Sequence, residues 1–198
     1  EWFNKKVDPN GSYYYTNSIT ENRNRTGRIN LLPTGNTSTN SESNAKTDNT
    51  GHAINFDLEV KIDSTTTLYL SPYISKNKTL DQYTSFSSSF DSANALLNEN
   101  TTNNFQDVER SSFTNNLYLY KKLKRKGRGV SFTMNNEYSD NETNLNTNTN
   151  TVFYQSGNPD DSRNQNRLDT DKMDMLEFEV GYSEPITDSL KLSFETSF

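Results

Sequence analysis

A period-two alternation of apolar and polar side chains is the feature that most constrains the fold of this chain. From Ile54 to Ile62 every even-numbered residue is apolar, and every odd-numbered residue is polar or charged. Such a pattern places the two sets on opposite faces of a β-strand. Its recurrence along the chain predicts an all-β protein made of antiparallel strands.

The connections between the alternating segments differ regularly in length. Short polar turns are predicted at 63–66, 121–129 and 183–188, and polar stretches of about thirty residues, rich in Asn, Thr and Ser, at 20–50, 77–111 and 139–170. Within the second stretch, Asp91 or Ser92 could cap a short helix. The predicted strands are 5–19, 51–62, 68–75, 112–123, 130–138, 176–182 and 190–198.

This order of connections favours a transmembrane β-barrel. In outer-membrane barrels short turns face the periplasm and long loops face the outside, and a strand needs about 9 to 11 residues to cross the bilayer. The predicted strands fit that length, so we expect long extracellular loops and short periplasmic turns. A soluble β-sandwich, whose strands also alternate, is the open alternative.

Bulk composition taken alone suggests a disordered chain, because only 29% of the residues are hydrophobic, the mean hydropathy is -1.00 and the net charge is -6. A barrel explains the same values, since half of each strand faces water and the connections add polar residues. The aromatic content of 12% is high for a disordered chain. The sequence contains no cysteine, which excludes disulfides and thiolate metal sites.

The odd number of predicted strands suggests that the chain is part of a larger barrel. Complete bacterial barrels have an even number of strands, whereas the seventh strand here runs away from the turn side and stops at Phe198. The chain also begins at Glu1, without an initiator Met or a signal peptide. We therefore expect residues 1–198 to be one partial barrel domain of about seven strands.

Several segments resemble strands of the outer-membrane β-barrel proteins of Bacteroidota, which are similar to TonB-dependent receptors. They are 2–7 with 10–15, 116–128, and 131–138. The resemblance implies a barrel of about 22 strands, a plug and an amino-terminal carboxypeptidase-regulatory-like module. Neither the plug, nor that module, nor a TonB-interaction segment is found within residues 1–198.

The resemblance also implies a location and a function. We expect a protein of the cell outer membrane whose extracellular loops bind a solute that then passes through a gated barrel. The alternative is an anchor that does not transport and binds a protein or polysaccharide through its loops. The expected partners are outer-membrane lipid, TonB through regions outside these residues, and a surface lipoprotein or other outer-membrane subunits. We expect no nucleic acid partner.

Two groups of aromatic residues are the candidate contacts to a ligand or partner. Aromatics in the predicted loops could recognise it at the surface, although packing between loops is an equal alternative. Tyrosines that alternate with apolar residues should point into the barrel, where they would stack on a ligand or contact wall and plug. The loop residues are Tyr83, Phe86, Phe90, Phe153 and Tyr154, and the inward tyrosines are Tyr69, Tyr73, Tyr118 and Tyr120.

The residues predict neither an enzyme nor a cofactor or metal site. His52 is the only histidine, and the sequence has no nucleophile elbow, phosphate-binding loop or Cys/His cluster. The aspartates between Asp160 and Asp174 lack EF-hand spacing and are interpreted as solvated. The basic cluster from Lys121 to Arg128 could suit anionic headgroups or nucleic acid, but on a short turn without aromatics we interpret it as solvated.

Overall fold

The computed structural model describes residues 6–33, 35–155, 157, 159–187 and 190–198. These residues form seven β-strands and their connections. No helix in this part of the chain is long and apolar enough to cross a membrane. The strands are β1 (Val7–Asn30), β2 (Thr37–Lys61), β3 (Thr66–Phe90), β4 (Leu96–Lys122), β5 (Gly129–Phe153), β6 (Asp161–Pro185) and β7 (Lys191–Ser197).

All seven strands lie in one antiparallel sheet, in the order in which they occur along the chain. Each strand is therefore a hairpin neighbour of the next. The sheet is open, with β1 at one edge and the seven-residue β7 at the other. The all-β antiparallel prediction is confirmed, and each predicted strand overlaps one observed strand. Closure into a barrel is not part of the described structure.

The pairing register aligns the apolar residues of successive strands in continuous rows. Residues directly opposite each other in an antiparallel pair point to the same face of the sheet. One row runs from Val7 through Val60, Leu68, Leu119, Phe132 and Val180 to Thr196. We call this side the apolar face and the other side the polar face.

The rows of the apolar face together form a surface that we call the apolar band. It lies near the end of the sheet that holds the turns 62–65 and 123–128 and the connection from β6 to β7. Its main members are Val7, Tyr13, Ile54, Phe56, Leu58, Val60, Leu68, Leu70, Ile74, Phe113, Leu117, Leu119, Val130, Phe132, Met134, Tyr138, Leu176, Phe178, Val180, Tyr182 and Phe194.

The described residues contain no second layer that covers this band. Val108 is the single apolar side chain that they bury, and it lies on the polar face. In the band, Phe194 is 58% exposed and Leu176 is 52% exposed. An uncovered apolar surface of this extent marks an interface with a partner or a membrane.

The three long polar stretches were predicted as loops, and that prediction is wrong. Residues 20–30 continue β1, 37–50 lie in β2, 77–90 in β3, 96–111 in β4, 139–153 in β5 and 161–170 in β6. The antiparallel pairing continues to Asn30 opposite Thr37 in the first hairpin. The connections at this end, 31–36, 91–95 and 154–160, are only five to seven residues long. Strands of about 25 residues span roughly 80 Å. We call these strand extensions the polar ladder.

Hydroxyl and amide side chains explain why the polar ladder forms strands. Thr47 donates to Asp81 over 2.6 Å, Asn100 donates to Thr151 over 2.8 Å, and the Thr39 and Ser89 hydroxyls are 3.0 Å apart. Thr is β-branched and favours strands. From 144 to 151 Asn alternates with Thr at nearly every step. The period of two is therefore kept there, with Asn on one face of the strand and mainly Thr on the other.

Acidic side chains organise two of the hairpin ends. The predicted helix cap Asp91 accepts hydrogen bonds from the backbone N of Ala93 (2.9 Å) and Ala95 (2.8 Å), and closes a turn instead of starting a helix. Pro72, which has no backbone N–H to donate, interrupts the ladder on its β2 side, where the pairing omits Phe56 and Asp57.

The turn after β2 depends on Asp63. Its Oδ1 accepts from the backbone N of Thr65 over 2.6 Å and of Thr66 over 2.9 Å. The hydrogen bond from the Thr65 hydroxyl first, then that from the Thr65 backbone N, and then those from Thr66 lower the pKa of Asp63 from 3.8 to about 2. The lowered pKa means that this stabilisation is complete above the usual carboxyl range and is lost as the pH falls through about 2.

We predict that the amide proton shifts of Thr65 and Thr66 titrate with a midpoint near pH 2, as measured by NMR. The variant D63N keeps an acceptor oxygen but has no carboxyl proton to gain, so its shifts should stay constant over that range. A wild-type midpoint at the ordinary carboxyl value of 3.8 would contradict the turn geometry.

Candidate functional site

The four tyrosines predicted to point away from the apolar residues lie together on the polar face. Tyr69 is directly opposite Tyr118, with ring centroids 6.1 Å apart. Tyr118 and Tyr120 are parallel within 6°, with centroids 6.4 Å apart. Tyr73 lies further along β3 and is opposite Thr114. The strands thus place all four rings on the face opposite the apolar band.

A close approach of backbone and ring positions Tyr120. A Cβ atom built on Gly129 would lie 2.5 Å from the Tyr120 hydroxyl oxygen and 2.8 Å from two ring carbons. Only glycine leaves room for the ring at this point of the sheet. In the sequence, a Gly at the start of a strand could have indicated such a contact. That Tyr120 is the contacting residue follows only from the pairing register of β4 and β5.

A chain of amide and carboxylate groups lies beside the tyrosines. Asn116 donates to the Oδ1 atom of Asn135 over 2.6 Å, and Asn135 donates to the Oε2 atom of Glu177 over 3.1 Å. The three residues come from β4, β5 and β6 and occupy one row of the polar face. Amides and carboxylates next to aromatic rings can bind polar solutes by hydrogen bonding and stacking.

Carboxylates dominate the charge of the polar face at the level of the apolar band. Among the described residues, the nearest Lys and Arg of this face lie at its two ends: Lys61, Lys122 and Lys191 at the turn side, with Lys61 Nζ 3.5 Å from Glu59 Oε1, and Arg110 at the other. A shallow depression of about 270 Å³ between β1, β2 and β3 is lined by Asp8, Asp57, Glu59 and Tyr69, among others. The carboxylates are Asp8, Asp57, Glu59, Glu137, Glu177, Glu179 and Glu195.

The structure does not bring the five candidate loop aromatics to one surface. Tyr83 and Phe153 lie on the polar face, whereas Phe86 and Phe90 lie on the apolar face of the polar ladder. Tyr154 is in the hairpin end after β5, and its hydroxyl donates to Glu99 over 2.8 Å. Four of the five are therefore strand residues, because the stretches that hold them pair as strands.

His52 and the aspartates do not form a reactive centre. The His52 Nδ1 atom is 2.7 Å from the Tyr13 hydroxyl at the edge of the apolar band. Asp161 pairs with Arg163 and Asp169 pairs with Arg167 along β6. Among the described residues, no three His, Cys, Asp or Glu side chains are grouped as a metal ion would require.

One ion cluster that the sequence did not reveal joins the turn 123–128 to the end of β6. Arg128 donates to both Glu184 oxygens over 2.7 Å, and Arg125 donates to Oε1 over 2.9 Å. The Arg128 bonds first, then a hydrogen bond from the Tyr182 hydroxyl, and last the charge of Arg125 lower the Glu184 pKa from 4.5 to about 2. The partners are 56 and 59 residues apart in sequence, so only the register places them together.

Comparisons with known proteins identify no family for this chain. No protein-family model matches it, and no curated protein matches it. The membrane pore complex of pneumolysin is 9% identical, with a TM-score of 0.19, over 86% of this chain and 31% of that chain. The siderophore receptor PiuA from Acinetobacter baumannii is 12% identical, with a TM-score of 0.18, over 96% of this chain and 46% of that chain.

The chain thus spans less than half the length of each of these two structures. With TM-scores this low, neither likeness carries an argument about the fold or the function.

We predict that E184Q frees the turn 123–128. A spin label placed at position 126 should become more mobile in E184Q, because the neutral amide cannot hold both arginines. In the wild type, the label should gain the same mobility only as the pH falls through about 2, since a lowered pKa keeps the carboxylate charged above that value.

The matched control for this change is E195Q, which removes a carboxylate of β7 that has no ion pair with a described residue. Its label should behave as in the wild type. Equal label mobility in E184Q and the wild type at neutral pH would refute the proposed role of the cluster.

Proposed function

We propose that this sheet is part of the wall of an outer-membrane β-barrel, with the apolar band against lipid. The observation that carries the proposal is the band itself: it is continuous across the strands, confined to one face, and uncovered in the described structure. Leaving one large apolar side chain in water forgoes about 1.5–3 kcal/mol. A lipid environment removes that cost for the whole band at once.

The extent of the band along the strands fits the thickness of a lipid bilayer. On β2 it extends from Ile54 towards Ile62, which is nine residues, and about 9 to 11 tilted residues cross a bilayer core. Tyr13, Phe113 and Tyr138 lie at the margin of the band that adjoins the polar ladder. Tyr182 and Phe194 lie at the margin beside the turns. Membrane barrels carry such aromatic girdles at both interfaces.

The open edges support closure by further strands. Among the described strands, none pairs with the outer edge of β1 along its 24 residues, and β7 covers only the last part of β6. Unpaired backbone N–H and C=O groups are costly in a bilayer, so a membrane sheet closes on itself. In the closed barrel the polar face, with its tyrosines and carboxylates, lines the lumen.

We propose that the barrel functions in solute uptake as a TonB-dependent-receptor-like protein. Support comes from the polar side chains of the polar face. There Tyr118, Asn135 and Glu177 offer an aromatic ring, an amide and a carboxylate to a solute. The sequence resemblance supplies the gating plug and the coupling to TonB. In this proposal the polar ladder, which extends roughly 45 Å beyond the band, receives the solute outside the cell.

The rival function is an outer-membrane anchor that binds a protein or polysaccharide. One observation favours it: hydroxyl and amide groups cover both faces of the polar ladder, as in the Asn146 and Asn166 pair and the Thr47 and Asp81 pair. Such groups suit hydrogen bonding to a large polar partner.

A pair of adjacent substitutions tests the lipid-facing band. L117R should destabilise the bilayer-inserted protein by about 2–4 kcal/mol, because a cation near the midplane of the lipid face is costly. N116R, on the same strand but on the polar face, should cost only the hydrogen bond from Asn116 to Asn135, about 0.5–1.5 kcal/mol. The measurement is urea unfolding of the complete protein in lipid vesicles.

Flotation with vesicles accompanies this test and separates a membrane wall from a soluble sandwich. The wild type should float after an alkaline wash. Recovery of the wild type in the aqueous fraction, or equal destabilisation by both substitutions, would refute a lipid-facing band.

Transport and anchoring differ in permeability. We predict that liposomes holding the complete protein admit small polar solutes once the plug is removed, and that intact protein admits them only when it is energised. An occluded lumen in both states, together with a stable co-purifying partner, would instead support the anchor.

A further inference from the structure

The charge at the turn end of the sheet is opposite in sign to that of the whole chain. The net charge is -6, yet lysines or arginines flank each turn at this end. They are Lys6, Lys61, Lys121, Lys122, Lys124, Arg125, Lys126, Arg128 and Lys191.

The described carboxylates nearest the turns already have partners. Asp63 accepts the hydrogen bonds of its own turn, and Glu184 holds Arg125 and Arg128. Lys121, Lys124 and Lys126 are exposed and form no ion pair with another described residue. Their charge is therefore available to a partner outside the chain.

The position of Lys121 indicates which partner that is. Lys121 lies on the apolar face, opposite Thr66 and Val130 and two residues after Leu119 of the apolar band. Lys124 and Lys126 follow in the turn. In a bilayer, the layer next to the hydrocarbon boundary holds the phosphate headgroups, and a long lysine side chain can reach them while its stem stays against apolar surface.

We propose that Lys121, Lys124 and Lys126 bind the phosphate headgroups of anionic phospholipids in the leaflet at the turn end. This inference rests on the proposed membrane function and adds a lipid preference to it. The Glu184 cluster contributes by fixing the turn that carries Lys124 and Lys126. Anionic phospholipid would thus bind specifically at the turn between β4 and β5.

The test uses the complete protein in vesicles, with spin-labelled phosphatidylglycerol and spin-labelled phosphatidylcholine as probes of the lipid layer around it. We expect phosphatidylglycerol to associate at least about fivefold more strongly. The preference should fall when salt rises from about 0.05 M to about 0.5 M. The triple variant K121Q/K124Q/K126Q should lose most of it.

Two control variants remove the same number of positive charges as K121Q and as the triple variant, but at other positions. K122Q removes the adjacent lysine, which lies on the polar face opposite Gly129, and should keep the preference that K121Q reduces. R23Q/R28Q/R163Q removes three cations from the polar ladder and should keep it as well.

The outcomes separate this inference from the proposed function. Protein that inserts and shows equal association of both lipids, or an unchanged preference in the triple variant, overturns the lipid site and leaves the barrel intact. Failure of the wild type to insert in any vesicle overturns both.

Discussion

The antiparallel register is the interaction on which the rest of this structure depends. Backbone hydrogen bonds fix which residues of neighbouring strands are opposite each other, and a shift of one residue would turn every side chain to the other face. The observed register joins Val60, Leu68 and Leu119 in one row and Tyr69 and Tyr118 in another. The apolar band, the tyrosine surface and the Glu184 cluster all follow from it. Since the described chain has almost no buried core, the ladder itself is what holds the sheet together.

The apolar part of each strand could be predicted from the sequence, but its polar continuation could not. Alternation between Ile54 and Ile62 is a contrast between apolar and polar side chains, and that contrast identifies a half-buried strand. From Asn146 to Thr151 both faces meet water, so the alternating residues are all polar and the contrast vanishes. Composition then suggested a loop, whereas the β-branched threonines and the cross-strand hydrogen bonds stabilise a strand.

The candidate site divides in the same way. The faces of Tyr69, Tyr73, Tyr118 and Tyr120 could be predicted because parity within one strand decides them. The amide and carboxylate chain from Asn116 to Glu177 and the contact of Arg128 with Glu184 could not, because each joins residues of different strands. Such contacts depend on the register between strands. For Asn135 with Glu177 and for Arg128 with Glu184, that register belongs to the hairpin of β5 and β6, whose residues 139–170 the sequence predicts as a loop.

The extended pairing of the polar ladder has a consequence for recognition. A mobile loop that closes on a ligand loses conformational entropy as it binds, at a cost of about 1–2 kcal/mol for each backbone residue that becomes ordered. In the hairpin of β4 and β5, the residues from Asn98 to Ser111 are already fixed by pairing with 140–153. That entropy is lost during folding. A molecule that binds these stiff, paired arms would meet a preorganised surface, and selectivity would follow from the spacing of side chains along the strands, not from closure around it.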